Sequence, residues 1–104
     1  MNTFSGIAHI KVSLNNIIVS ISDINGNVIA WKTAGTLGFK GARKSTAVAA
    51  KATGDAVARK ALTLGIQRVE VKVKGKDNDA CSDAVINAIK NAGIEIASVS
   101  VVHP

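Results

Sequence analysis

The sequence predicts an α/β protein of βββαβαβ order, with a five-stranded mixed sheet and two helices on one face. Three observations carry that prediction. Apolar and polar residues alternate with period two near the start, past the middle and at the end of the chain. Two intervening stretches change to helical period, each long enough for a right-handed crossover between parallel strands. The fourth strand also alternates cleanly, whereas a parallel strand covered on both faces would be apolar throughout.

The first three strands form an antiparallel meander. Ile10, Val12 and Leu14 alternate with Lys11 and Ser13, and Ile17, Val19 and Ile21 alternate with Ser20 and Ser22. Asn15-Asn16 between them suits a two-residue turn, because Asn tolerates positive φ. Asp23-Ile24-Asn25-Gly26-Asn27 contains an Asn-Gly pair, a strong hairpin signal, and a third strand follows over residues 28–33. Trp31 on that strand reads as a packing residue.

Residues 47–64 read as a helix. Ala47, Ala50, Gly54, Val57, Ala61 and Leu64 recur at helical spacing, and the smallness of this stripe predicts a close seat on the sheet. Ser45 or Thr46 is the expected N-cap and Gly65 the stop. Lys51, Asp55 and Arg59 lie four apart and can pair weakly. In residues 67–74, Val69, Val71 and Val73 face one way; Arg68, Glu70, Lys72 and Lys74 face the other. After a polar loop at 75–78, a second helix over about 79–92 turns Cys81, Val85, Ala88 and Ala92 inward. Gly93 ends it, and residues 94–102 form the last strand. One sheet face then carries Lys11, Arg68, Lys72 and Lys74, and it is open, basic and available to a partner.

The 104 residues fit a single domain, 1–104, with one modest core. Apolar residues make up 47% but aromatics only 3%, so small side chains must supply the cohesion. The net charge of +6 bears on partners, favouring nucleic acid or an anionic membrane over a merely solubilising face. Lys32, Lys40, Arg43, Lys44, Lys51, Arg59 and Lys60 stand against one acid, Asp55, between residues 32 and 60. The single Cys81 forms no internal disulfide, fits a reducing compartment and reads as a small packing residue. No apolar run approaches the roughly 20 residues of a membrane span. Residues 1–6 lack the basic start and apolar core of a signal peptide, so any targeting segment is expected to be already removed or never present.

Chemistry concentrates in Gly35-Thr-Leu-Gly-Phe-Lys-Gly-Ala-Arg-Lys-Ser-Thr46, where three glycines, one aromatic and three cations precede a helix. Glycines let backbone approach a ligand closely, cations seek an anion, and a helix N-terminus attracts negative charge. A nucleotide-binding P-loop does not fit. Its Lys follows its second Gly directly, whereas Ala42-Arg43 separate Gly41 from Lys44, and no downstream acid is placed for Mg²⁺. The strand order resembles ribonuclease-H-like folds, but a two-metal nuclease needs clustered carboxylates. The first strand offers His9, Lys11 and Ser13, while Asp23, Asp77, Asp79 and Asp83 sit in turns or at helix starts. His9, His103 and Cys81 lack metal-ligand spacing, so neither metal nor cofactor is expected. RNA remains. Lys40, Arg43 and Lys44 beside a helix N-terminus oppose its dipole by roughly 0.3–1 kcal/mol each, a sign that an incoming phosphate reverses. Phe39 either stacks on a base or anchors the loop to the core.

These residues also resemble a family. Gly6-Ile-Ala-His-Ile10, Asn15-Asn16, Gly26-Asn27, Thr33-Ala-Gly35, Gly38-Phe-Lys-Gly-Ala-Arg-Lys-Ser-Thr46, Ala49-Ala50 and Val73-Lys-Gly75 closely resemble the bacterial and organellar type of small-subunit ribosomal protein S-eleven. The resemblance spans nearly the whole chain, and the run from Gly38 to Thr46 is its specific part. It implies a ribonuclease-H-like topology without the active site, and a non-catalytic rRNA-binding protein of the subunit platform. Such a protein lies near the mRNA exit and the exit tRNA site, with small-subunit rRNA, neighbouring platform proteins and mRNA near the exit as partners, and no membrane or small-molecule substrate. The RNA-binding residues it implies are Gly38, Phe39, Lys40, Gly41, Arg43, Lys44, Ser45, Thr46, Lys74 and Gly75, with Lys76 beside them.

Three departures from the family pattern stand out. The chain stops at Val102-His103-Pro104 where relatives continue into a basic tail. It has Lys76-Asp77-Asn78-Asp79 where they have a Gly/Pro-rich, Arg-ended loop, and it lacks their basic N-terminal arm. The reduced form suggests a mitochondrial ribosome, with a plastid or bacterial one as alternatives. A free-standing RNA-binding module, or a degenerate nuclease-like or nucleotide-binding enzyme, is the alternative to the ribosomal reading.

Overall fold

The strands that the alternation predicts are β1 (Ser5–Val12), β2 (Ile17–Asp23), β3 (Val28–Thr33), β4 (Arg68–Lys74) and β5 (Glu95–Val102). The helices are α1 (Ala47–Thr63) and α2 (Ala80–Asn91). They come from a computed structural model that describes residues 5–13, 16–41, 46–74 and 80–102. The sheet order is β3-β2-β1-β4-β5. β1 pairs antiparallel with β2 and parallel with β4; β2 pairs antiparallel with β3, and β4 parallel with β5. This is the mixed α/β architecture that the sequence predicts.

Period two puts alternate side chains on opposite faces. Ala8 stands between Ile21 and Val71 across the sheet, and Ile10 between Val19 and Val73. All six are buried, and both helices cover that face. Burying each Val or Ile side chain contributes about 1.5–3 kcal/mol. The opposite face carries Ile18, Ser20, His9, Lys11, Arg68, Glu70, Lys72 and Lys74, and the two helices leave it open.

Helix α1 buries a wider arc than a single stripe. Ala49, Ala50, Thr53, Gly54, Val57, Ala58 and Ala61 are buried, whereas Ala47 and Leu64 are exposed. The cause is that α1 packs against the sheet and against α2 at once. Ala47 lies in the first turn and Leu64 is the C-terminal cap, so both stand at the ends of the buried arc. Thr53 joins the core because its hydroxyl donates to the Ala49 carbonyl at 2.7 Å, leaving no unsatisfied donor. Asp55 and Arg59 form the expected flank pair at 3.2 Å. On α2, Cys81, Val85 and Ala88 are buried as expected, joined by Ser82 and Ile89, while Ala92 is half-buried just past the helix end.

Two turns differ in detail from expectation. The β1–β2 turn closes with the Ser13 N–H donating to the Asn16 carbonyl at 2.9 Å, so Asn16 is a closing residue one position on from the centre expected, and Asn15 lies outside the described residues. The β2–β3 turn is longer than a two-residue hairpin. The Asp23 N–H donates to the Asn27 carbonyl, and the Asp23 carboxylate accepts from the Asn25 and Asn27 N–H groups, all at 2.9 Å. An Asp that can satisfy the loop's own amides competes with the tighter turn.

Trp31 is not a packing residue. Ala30 beside it is buried against Ile21, so Trp31 points to the open face, where it is 57% exposed.

Candidate nucleic-acid interface

The glycine-rich stretch begins where β3 ends. Thr33 and Thr36 form a clasp there: the Thr36 hydroxyl donates to the Thr33 carbonyl at 2.7 Å and accepts from the Thr33 N–H at 3.0 Å. Asn16 ties in the neighbouring turn, because its Oδ1 accepts from the Ile17 N–H at 2.9 Å and from the Gly35 N–H at 3.4 Å. Asn16 therefore braces the loop as well as closing the turn.

Residues Gly35–Leu37 make one turn of 3-10 helix, which Gly38 ends at φ +95°. That left-handed geometry suits glycine, since a Cβ would crowd the following carbonyl. The reversal aims the Phe39 N–H back at the Ala34 carbonyl at 3.2 Å, and the Phe39 ring packs half-buried against the core. Of the two roles open to Phe39, its placement is that of an anchor. Lys40 and Gly41 follow it into solvent. Anchor, then cation, then helix is a simple physical device: the buried ring fixes where the next charge stands.

Thr46 caps α1. Its backbone is extended, and its hydroxyl accepts from the Ala49 N–H at 3.2 Å. With Thr as cap, this contact contributes about 1 kcal/mol to the helix start. The first turn of α1 holds no acid, so nothing there offsets the positive end of the dipole. Arg43, Lys44, Ser45, Gly75 and Lys76 lie outside the described residues.

Lys74 ends β4, exposed on the open face. Strand pairing sets Thr33, Ile18, Lys11 and Lys74 in one row across the sheet. The glycine-rich stretch leaves the row at Thr33, so it departs from the same end of the sheet at which Lys74 stands. Three strand spacings of about 4.8 Å separate them, roughly 14 Å. The start of the glycine-rich stretch and Lys74 thus stand apart along one end of the sheet rather than around a pocket. That suits a polyanion better than a single phosphate group.

Three of the described acids are engaged elsewhere. Asp23 holds its turn, and hydrogen bonds, chiefly from the Asn27 backbone, keep its carboxyl below the ordinary aspartate value. Asp55 pairs with Arg59, and Glu95 with Arg68 at 3.2 Å. Among the described residues, no three His, Cys, Asp or Glu side chains gather as a metal site requires. No described helix is long and apolar enough to cross a membrane.

Sequence reasoning missed Trp31 as a surface group. The signal was available: Ala30 had to face the core if Ile21 did, and its neighbour then had to face away. A comparison with known families finds one whose model, described as ribosomal protein S11, matches residues 6–104.

Proposed function

Because the chain belongs to the ribosomal protein S11 family, it is a small-subunit ribosomal protein that binds rRNA, and we propose that residues 38–46 hold the RNA backbone. The observation that carries this is the sequence of anchor and cation: Phe39 seated on the core, Lys40 exposed beside it, and α1 capped by Thr46. Arg43, Lys44 and Ser45 fall between these fixed points, next to a helix end whose dipole favours phosphate. Lys74 stands at the same end of the sheet, and Gly75 and Lys76, which follow it in the sequence, complete the proposed contact. The family is a structural one, and the action is positioning: charges and backbone amides set the relative placement of RNA helices.

The finer assignment is to the subunit platform, near the mRNA exit and the exit tRNA site, with neighbouring platform proteins and mRNA as further contacts. The particle we assign is the mitochondrial small subunit. Its support is the acidic Lys76-Asp77-Asn78-Asp79 segment, a departure from the Gly/Pro-rich, Arg-ended loop of the family pattern. Cell fractionation checks this, since recovery with plastid or bacterial subunits would reassign the particle.

Salt dependence tests the contact itself. Lys44→Ala should weaken binding to small-subunit rRNA and make the slope of log K against log salt shallower by roughly 0.7–0.9, one phosphate's share. An unchanged slope removes Lys44 from the phosphate contacts. Co-migration of the chain with small subunits at moderate salt separates a built-in ribosomal protein from a free-standing RNA-binding module.

A further inference from the structure

The helices cover one side of the sheet, and the other side is organised. Its central row runs Trp31, Ser20, His9, Lys72, Ser100 across all five strands. The next row holds Ile18, Lys11 and Lys74. Between the rows lies a shallow concavity of about 450 Å³, with His9, Lys11, Ile18 and Lys72 among its walls. Trp31, the only tryptophan of the chain, stands at one end of the central row, 57% exposed.

The charge on this face is one-sided. Arg68 is tied to Glu95 at 3.2 Å, which leaves Lys11, Lys72 and Lys74 facing Glu70 alone among the described residues of β1, β2 and β4. Burial, and next to it the nearby Lys72 charge, hold the His9 imidazole below its ordinary value. At neutral pH it is therefore a flat neutral ring more than another cation. Flat rings interleaved with lysines on an open sheet match a single-stranded nucleic acid, whose bases stack while its phosphates meet cations. A duplex keeps its bases inside its own stack and offers the rings nothing.

We propose that this open face is a second RNA contact, which takes an unpaired rRNA segment with one base on Trp31 and its phosphates on Lys72 and Lys11. It rests on the rRNA-binding reading above but uses none of residues 38–46. Base stacking then crosses the central row from Trp31 toward His9, and Ser20 between them is small enough to leave the path clear.

The test is fluorescence of the full chain. Titration with a single-stranded oligoadenylate of about eight nucleotides should quench Trp31, and a duplex of equal length should not. Trp31→Ala should weaken oligonucleotide binding at least about five-fold, the effect of losing one stacked base, while Trp31→Phe keeps most of the affinity. Lys11→Gln with Lys72→Gln should make the salt slope shallower by about 1.4. Lys44→Ala should leave the quenching intact while it weakens binding to folded small-subunit rRNA, so the two surfaces fail separately. Unchanged Trp31 emission at saturating oligonucleotide, or parental affinity of Trp31→Ala, would overturn the proposal. So would crosslinks from this face to a protein, not RNA, in assembled subunits.

Discussion

Gly54 of α1 meets Val85 of α2 backbone to backbone: a Cβ at Gly54 would lie 2.9 Å from the Val85 carbonyl oxygen. It would also lie 3.0 Å from the Ala88 Cβ. The two helices that roof the sheet are therefore as close as a missing side chain allows. A backbone oxygen on a packed helix cannot swing aside as a side chain does.

Gly54→Ala should accordingly destabilise the protein despite the gain of about 1 kcal/mol in helix propensity. Forcing the helices apart costs about 1–3 kcal/mol, so the net loss is up to about 2 kcal/mol. In a domain of this size that lowers Tm by up to roughly 16 °C. Thermal unfolding followed by circular dichroism checks it, and a raised Tm would show that the helices can separate at no net loss.

Phe39 separates anchoring from stacking. Its ring packs against the core and is half-buried, so Phe39→Ala should destabilise the fold by about 1–3 kcal/mol, below the value for a fully buried Phe. Phe39→Leu restores apolar volume without a flat ring. It should hold small-subunit rRNA as tightly as the parent. If Phe39→Leu binds rRNA several-fold more weakly at an unchanged Tm, the ring stacks on RNA.

Asp23 makes the β2–β3 turn sensitive to acid. Its folded carboxyl titrates below the ordinary 3.8, chiefly because the Asn27 N–H donates to it. A depressed carboxyl contributes stability above the unfolded value and loses it as pH falls through the lower folded value. The Asn25 and Asn27 amides should therefore lose protection against hydrogen exchange as pH falls below about 3.8, and remain protected at pH 5 and above. Asp23→Asn should remove that dependence, and amide NMR spectra over the acid range read both outcomes.

Much of the fold is legible before any coordinates. Val69, Val71 and Val73 against Glu70, Lys72 and Lys74 state which side of β4 is covered, and the burial pattern of β4 follows them residue by residue. The α1 stripe is only partly legible. Ala47 and Leu64 obey the helical period, yet the arc that is buried includes Thr53 and Ala58, because the position of α2 decides it. Val99 and Val101 on β5 show the same limit. They lie on the helix side beside Val71 and Val73, yet are 50% and 40% exposed, since the roof does not reach the sheet edge. Within the candidate interface, the loop's residue types are plain in the sequence, but the anchoring of Phe39 is a matter of which surface it meets.

By itself the sequence determines the periods of its elements, the residues of the glycine-rich loop and the family to which they belong. These are local properties, set by side-chain size, charge and backbone freedom over a few residues. Tertiary structure alone decides that Trp31, Ser20, His9 and Lys72 share one row and that Lys74 stands at the same end as the loop. Register between distant strands sets both, and register is fixed by packing the whole covered face at once.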